Sequence, residues 1–139
     1  MSTSVTVRHN FETGHRLPHL GGKFANLHGH SWWVEVTFTG ELHTSSGIIA
    51  EYGELKRLVR GWIDTHLDHG LMLGTDDPLR ELLAEHGKVY HLAPWPSVEQ
   101  VAEHLADVCQ RLVDEAKLGV WVTRVKLTET YVNAAEVVR

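Results

Sequence analysis

The chain has 139 residues, 42% of them hydrophobic and 22% charged, with a formal net charge of −5. That length suits a single domain over residues 1–139, and the apolar share excludes a disordered tail. No apolar run reaches the roughly 18 residues that cross a bilayer, and the acidic balance argues against a nucleic-acid backbone as partner. The opening MSTSVTVRHNF lacks the basic-then-apolar pattern of a secretory leader. The single cysteine, Cys109, precludes an internal disulfide and a multi-cysteine metal site, and fits a reducing cytoplasm. Any metal therefore falls to carboxylates and to the 11 histidines.

Residues 5–11 alternate, with Val5, Val7, His9 and Phe11 on one face of a predicted strand. After a loop carrying Pro18, Gly21 and Gly22, residues 28–40 alternate again. His28, His30, Trp32, Val34, Val36 and Phe38 share one face, and Trp33 falls opposite Trp32. The two stretches read as a long antiparallel hairpin with a wide loop. Residues 54–67 switch to helical period, with Leu55, Leu58, Val59, Trp62, Ile63, His66 and Leu67 on one stripe and Gly70 as a stop. A short helix is predicted from Pro78 to about His86, capped by Asp77 and ended by Gly87. Residues 88–92 suit a short strand. Ser97-Val-Glu-Gln100 is a capping-box pattern opening a strong helix whose stripe includes Val101, Leu105, Val108, Cys109 and Leu112. Cys109 on that stripe reads as a small core residue rather than an exposed nucleophile. Residues 120–130 alternate, placing Trp121, Thr123, Val125, Leu127 and Glu129 on one face, and residues 131–138 close the chain as a strand. The order is strand–strand–helix–helix–strand–strand.

Three constellations carry chemistry. In Leu27-His28-Gly29-His30 both imidazoles project from one face of a strand, and Gly29 would permit close backbone approach. His15, at the end of the paired strand and in phase with Phe11 and Thr13, is the best third member of a three-histidine zinc site with an open position. Iron and nickel also accept imidazole, and the bland alternative is an unligated His pair. Asp68-His69 pairs a carboxylate with an imidazole, an arrangement for proton transfer, or else a histidine favoured by a helix C-terminus. Glu129 continues an apolar face, where a carboxylate needs a partner. A planar heterocycle with adjacent N–H donors would satisfy it twice, and a solvent-facing strand end is the alternative.

Six motifs occur in order: Phe11-Glu-Thr-Gly-His15-Arg-Leu, Leu27-His-Gly-His30-Ser, Gly47-Ile-Ile-Ala-Glu51-Tyr-Gly-Glu-Leu-Lys56, Leu67-Asp-His69, Pro96-Ser-Val-Glu99 and Thr128-Glu-Thr130. Together they resemble the 6-pyruvoyltetrahydropterin synthase and 6-carboxytetrahydropterin synthase family over nearly the whole chain. The resemblance implies an α+β T-fold, with a four-stranded antiparallel sheet and two long helices on one face. It implies a homo-oligomer, trimer or hexamer, with active sites between subunits. It implies Zn2+ held by His15, His28 and His30, a pterin ring gripped by Glu129, and a proton relay formed by Asp68 and His69. The implied reaction is a lyase step on 7,8-dihydroneopterin triphosphate or a related reduced pterin, one branch of the family leading to 7-deazapurines.

One departure stands out. The family usually carries a basic cysteine four residues before the first His of the His-Gly-His pair, and here that position is Phe24. A second, smaller one is Glu51, where the family more often has Asp. Phe24 leaves open an engineered substitution, another base such as His19 or the Asp68–His69 pair, or a scaffold moved to a different substrate or to pterin or purine binding without turnover.

Overall fold

The computed structural model describes residues Met1–Arg139. Two long strands, β1 (Thr3–His15) and β2 (His28–Gly40), pair antiparallel in the register Val7↔Val36, Phe11↔Trp32 and His15↔His28. Because side chains alternate across a strand, that register puts Val7, Phe11, Thr13 and His15 beside Trp32, Val34, Val36 and Phe38 on one buried face. Trp33 points to the other face and is exposed, so the adjacent tryptophans do pack on opposite sides. Two short 3-10 turns, Pro18–Leu20 and Gly22–Ala25, fill the wide loop between the strands.

Helix α1 (Tyr52–His66) buries Leu55, Val59 and Ile63. Gly70, expected as a simple helix stop, instead opens a strand, β3 (Gly70–Leu73), parallel to the end of β1. The short helix α2 (Leu79–Leu83) ends three residues before the predicted His86, and Pro78 rather than Asp77 occupies the N-cap. Asp77 still serves the helix start, since its Oδ1 accepts the Leu79 N–H at 2.9 Å. Strand β4 (Val89–His91) pairs parallel with β3. Helix α3 (Val98–Glu115) begins as its capping pattern requires, with Ser97 Oγ accepting the Gln100 N–H at 3.1 Å. Strands β5 (Trp121–Thr130) and β6 (Asn133–Val138) complete the sheet.

The sheet is six-stranded, in the order β4-β3-β1-β2-β5-β6, rather than four-stranded. Of the two additional strands, β4 (Val89–His91) falls within the predicted strand 88–92, whereas β3, only four residues long, is too short for period-2 alternation to declare. They also interrupt the simple strand–strand–helix–helix–strand–strand order. Helices α1 and α3 both contribute to one core cluster of 24 buried residues, with the inward residues of β1, β2, β5 and β6. No helix is long and apolar enough to cross a membrane.

One phase error is instructive. Trp121 was expected to face inward with Val125 and Leu127, but it is exposed and Val122 is buried. Thr37 pairs with Arg124 while Phe38 pairs with Val122, so Thr123 is an extra residue on β5. Such a bulge inverts the alternation beyond it.

Candidate metal centre

The hairpin register brings the three expected histidines together. His15 and His28 are direct cross-strand partners, and His30 lies two residues along the same face of β2. Their ring centroids are 4.8 to 5.2 Å apart, and each offers a nitrogen within 4.8 Å of the others. The Trp32 ring packs edge-on against both His15 and His30 and forms the floor of the group. Its Nε1–H donates to the Thr13 carbonyl at 2.9 Å, which ties the floor to β1.

Tautomers at two of the rings are set by backbone carbonyls. His15 Nδ1–H donates to Pro96 O at 2.7 Å, and His28 Nδ1–H donates to Asn26 O at 2.7 Å. A carbonyl can only accept, so in each ring the Nε2 lone pair is left for another partner. Holding a ligand imidazole through its second nitrogen is the usual support for a metal-binding histidine. Burial pushes the His15 pKa down to about 4 and lowers that of His30, with the neighbouring imidazoles adding to the effect at both. Both rings are therefore neutral at physiological pH, the form that binds metal. His30 Nε2 is buried with no hydrogen-bond partner. An orphaned buried nitrogen beside two free imidazole lone pairs lacks a partner that a cation would supply, and these residues fit one.

Glu129 reaches the same place from β5. Thr128 pairs with Ala134 and Thr130 with Asn133, so Glu129 is the bulged residue between them. Bulges re-aim side chains, and this one sets the carboxylate 3.6 Å from His15 Nε2 and 3.9 Å from His30 Nε2. The four residues share a cavity of about 980 Å³. Phe24, on the second 3-10 turn, lines that cavity with its ring half exposed. His19 is not on the wall of this cavity; it stacks on Trp95 with centroids 4.7 Å apart.

Asp68 and His69 do form a pair, with His69 Nδ1–H donating to Asp68 Oδ2 at 2.8 Å. Asp68 Oδ1 also accepts the Glu12 N–H at 2.8 Å, and that backbone bond, with His69 second, holds its carboxyl below the usual carboxylate range. His69 has a φ of +59°, unusual outside glycine, and its side chain is 78% exposed. Its amide donates to Glu12 O at 2.6 Å, which fixes the turn. The pair does not line the histidine cavity of its own chain; His69 borders a separate, smaller cleft with His86 and Lys88.

Three features escaped the sequence. The Pro96 and Asn26 carbonyls that orient His15 and His28 are backbone groups, and no side-chain pattern signals them. The close backbone approach expected at Gly29 occurs at Gly14. A Cβ on Gly14 would lie 2.7 Å from the Leu71 side chain and 3.2 Å from His28 O, whereas one on Gly29 would meet nothing nearer than 3.7 Å.

The family model described as 6-pyruvoyl tetrahydropterin synthase matches residues 4–139. The 6-carboxy-5,6,7,8-tetrahydropterin synthase of Rickettsia bellii is 33% identical over 129 residues, covering 90% of this chain and 92% of the relative. The enzyme of the same name from Aquifex aeolicus is 27% identical, covering 98% of each chain. Among solved structures, an uncharacterized protein from Wolinella succinogenes superposes with a TM-score of 0.82 at 21% identity, covering 100% of this chain and 99% of the other. The 6-pyruvoyl tetrahydropterin synthase of Caenorhabditis elegans superposes with a TM-score of 0.74 at 19% identity, covering 100% and 96%. At those identities the structures establish a shared α+β fold.

Proposed function

From the premise that the chain belongs to the 6-pyruvoyl tetrahydropterin synthase family, a family of pterin-related lyases, we propose that it is a zinc-dependent lyase acting on 7,8-dihydroneopterin triphosphate or a closely related reduced pterin. The observation that carries this reading is the histidine triad, in which His15 and His28 have carbonyl-locked Nδ1–H groups and His30 an orphaned Nε2. His15, His28 and His30 would hold the ion. When bound, zinc supplies Lewis acidity that binds the hydroxyls of the substrate side chain and acidifies the adjacent C–H.

The rest falls to side chains. Glu129, on the cavity wall, accepts two N–H donors from the pterin ring and so orients it. His69, with Nδ1 engaged by Asp68, keeps Nε2 free to take or give a proton, and Asp68 holds the tautomer. Because His69 lies outside the cavity of its own chain, the relay reaches a substrate from a neighbouring subunit of a trimer or hexamer with the T-fold arrangement. The free edges of β4 and β6 are where subunits would join the sheet. Incubating zinc-loaded protein with 7,8-dihydroneopterin triphosphate and identifying products by mass spectrometry tests the proposal; unchanged substrate after prolonged incubation refutes it.

Phe24 favours a second reading, a diverged family member with an altered substrate or reaction. Phenylalanine cannot accept a proton, and here its half-exposed ring narrows the cavity that holds the histidines. Phe24→Cys separates the two. A synthase activity that appears only in the variant supports divergence, and a parent already as fast excludes it.

A further inference from the structure

The turn that carries Asp68 and His69 leads into β3 and is held from both of that strand's neighbours, β1 and β4. On the β1 side, the Glu12 amide donates to Asp68 Oδ1 at 2.8 Å and the Glu12 carbonyl accepts the His69 N–H at 2.6 Å. On the β4 side the tie is one side chain, that of Lys88 immediately before the strand. Lys88 Nζ donates to Asp68 O at 2.5 Å and to Asp64 O at 2.9 Å. Asp64 lies in the last turn of α1, and its carbonyl has lost its regular partner, because the Asp68 amide bonds Ile63 O at 2.9 Å instead. A helix C-terminus carries partial negative charge, so an ammonium is a well-matched donor there.

Room for that reach is built in. Lys88 O accepts the Leu71 N–H at 2.9 Å, which seats the residue against β3. A Cβ on Gly70 would lie 2.9 Å from Lys88 O and 3.0 Å from Lys88 Cδ, so the bare glycine leaves the lysine stem its passage to the helix end. The turn also needs holding. His69 has a φ of +59°, which a residue other than glycine keeps only where its surroundings impose it. Lys88 and His69 border the same small cleft. The Asp68 carboxyl is held below the usual carboxylate range by the Glu12 amide first, then by His69 and last by the Lys88 charge, against the opposing effect of burial. It thus stays an acceptor for His69 Nδ1–H.

We propose that Lys88 is a positioning residue for the Asp68–His69 pair, its ammonium clamping the end of α1 and the Asp68 backbone so that His69 is presented at a fixed place and angle. This rests on the proton-relay reading given above. Lys88 touches no reacting atom and acts through the turn. Without its ammonium the turn loses its tie to the β4 side, and His69 samples positions from which proton transfer is slower. Misplacing a transfer group costs rate, and it leaves the binding of substrate to the rest of the site in place.

The test uses full-length, zinc-loaded protein, with circular dichroism to verify that each variant is folded. Lys88→Met keeps an unbranched stem and removes the donors and the charge. Hydrogen exchange of the His69 amide is expected to quicken at least about tenfold relative to the Val36 amide of β2. With 7,8-dihydroneopterin triphosphate, kcat is expected to fall about tenfold or more while KM stays within about twofold. Lys88→Arg, which keeps charge and donors, is expected to fall between parent and Met variant. In an Asp68→Asn background Lys88→Met should lower kcat less than about twofold, because the pair it positions is already disabled. If Lys88→Met leaves His69 exchange and kcat at parent values while Asp68→Asn is impaired, the positioning role is wrong and the relay stands. If Lys88→Met costs as much in the Asp68→Asn background as in the parent, Lys88 acts elsewhere and the role is equally wrong. If Asp68→Asn turns over like the parent, the relay reading fails and the proposal with it. The exchange measurement needs no substrate, so an unchanged rate overturns the clamp even where the parent leaves this pterin intact.

Discussion

Removing the Asp77 carboxylate is expected to cost this protein a large part of its stability. Asp77 is 2% exposed and receives two donors from Arg16, Nε at 2.8 Å and Nη2 at 2.5 Å, plus the Leu79 N–H at 2.9 Å. It thereby joins the end of β1, one residue past His15, to the start of α2. Asp77→Ala leaves a guanidinium with a 19% exposed side chain unpaired and a helix-start amide without its acceptor. Breaking a buried pair by removing one partner costs about 3–5 kcal/mol. Arg16 retains some access to water, so about 3 kcal/mol is the expected loss. The pH dependence adds a second constraint. The Arg16 hydrogen bond holds the Asp77 pKa below its ordinary 3.8. The paired carboxylate therefore stabilises the fold fully above pH 3.8, and the contribution disappears as pH falls through the lower folded value. Urea unfolding of parent and variant, followed by circular dichroism at matched protomer concentration, measures both effects. A difference below about 1 kcal/mol at pH 7, within the range of an exposed pair, would refute the reasoning. So would a difference that persists undiminished at pH 2.5.

Other expectations are more local. Cys109 is 2% exposed and burial pushes its thiol up to about 12, so the folded protein should not react with a thiol reagent over minutes, and the urea-unfolded chain should react with one equivalent. Asp68→Asn should lower turnover by about 100-fold or more through loss of the tautomer-holding acceptor, while metal content measured by elemental analysis stays at the parent level. Ser97→Ala removes the cap of α3 and should lower stability by about 1 kcal/mol in the same urea assay.

The histidine triad was legible because its geometry is a property of two strands. Period-2 alternation placed His28 and His30 on one face, and hairpin pairing fixed His15 opposite them. Long elements were legible for a similar reason, since α3 has a full stripe and a cap that announce it. What failed was short or irregular. β3 derives its pairing from the neighbouring strands β1 and β4 rather than from any pattern of its own. The phase of β5 failed at Thr123, where one inserted residue exposed Trp121. Asp68 and His69 were recognisable as a pair, yet their distance from the histidine cavity depends on how α1 and β3 meet β1, which adjacency in sequence does not encode.

Residues 12–15 of β1 are a shared chassis. The Glu12 amide fixes Asp68, the Glu12 carbonyl fixes the His69 turn, Thr13 Oγ1 bonds Leu67 O at 2.7 Å, and Thr13 O holds the Trp32 indole beneath the imidazoles. The Asp68–His69 pair and the histidine cluster are thus both tied to one four-residue beam. With both groups tied to one beam in this way, if the proposed assembly forms, the distance between one subunit's Asp68–His69 pair and the next subunit's histidines would be set by how the two beams dock. Tuning the proposed reaction would then be a matter of alignment between subunits, and loosening the assembly would idle it without disturbing a single side chain at the site.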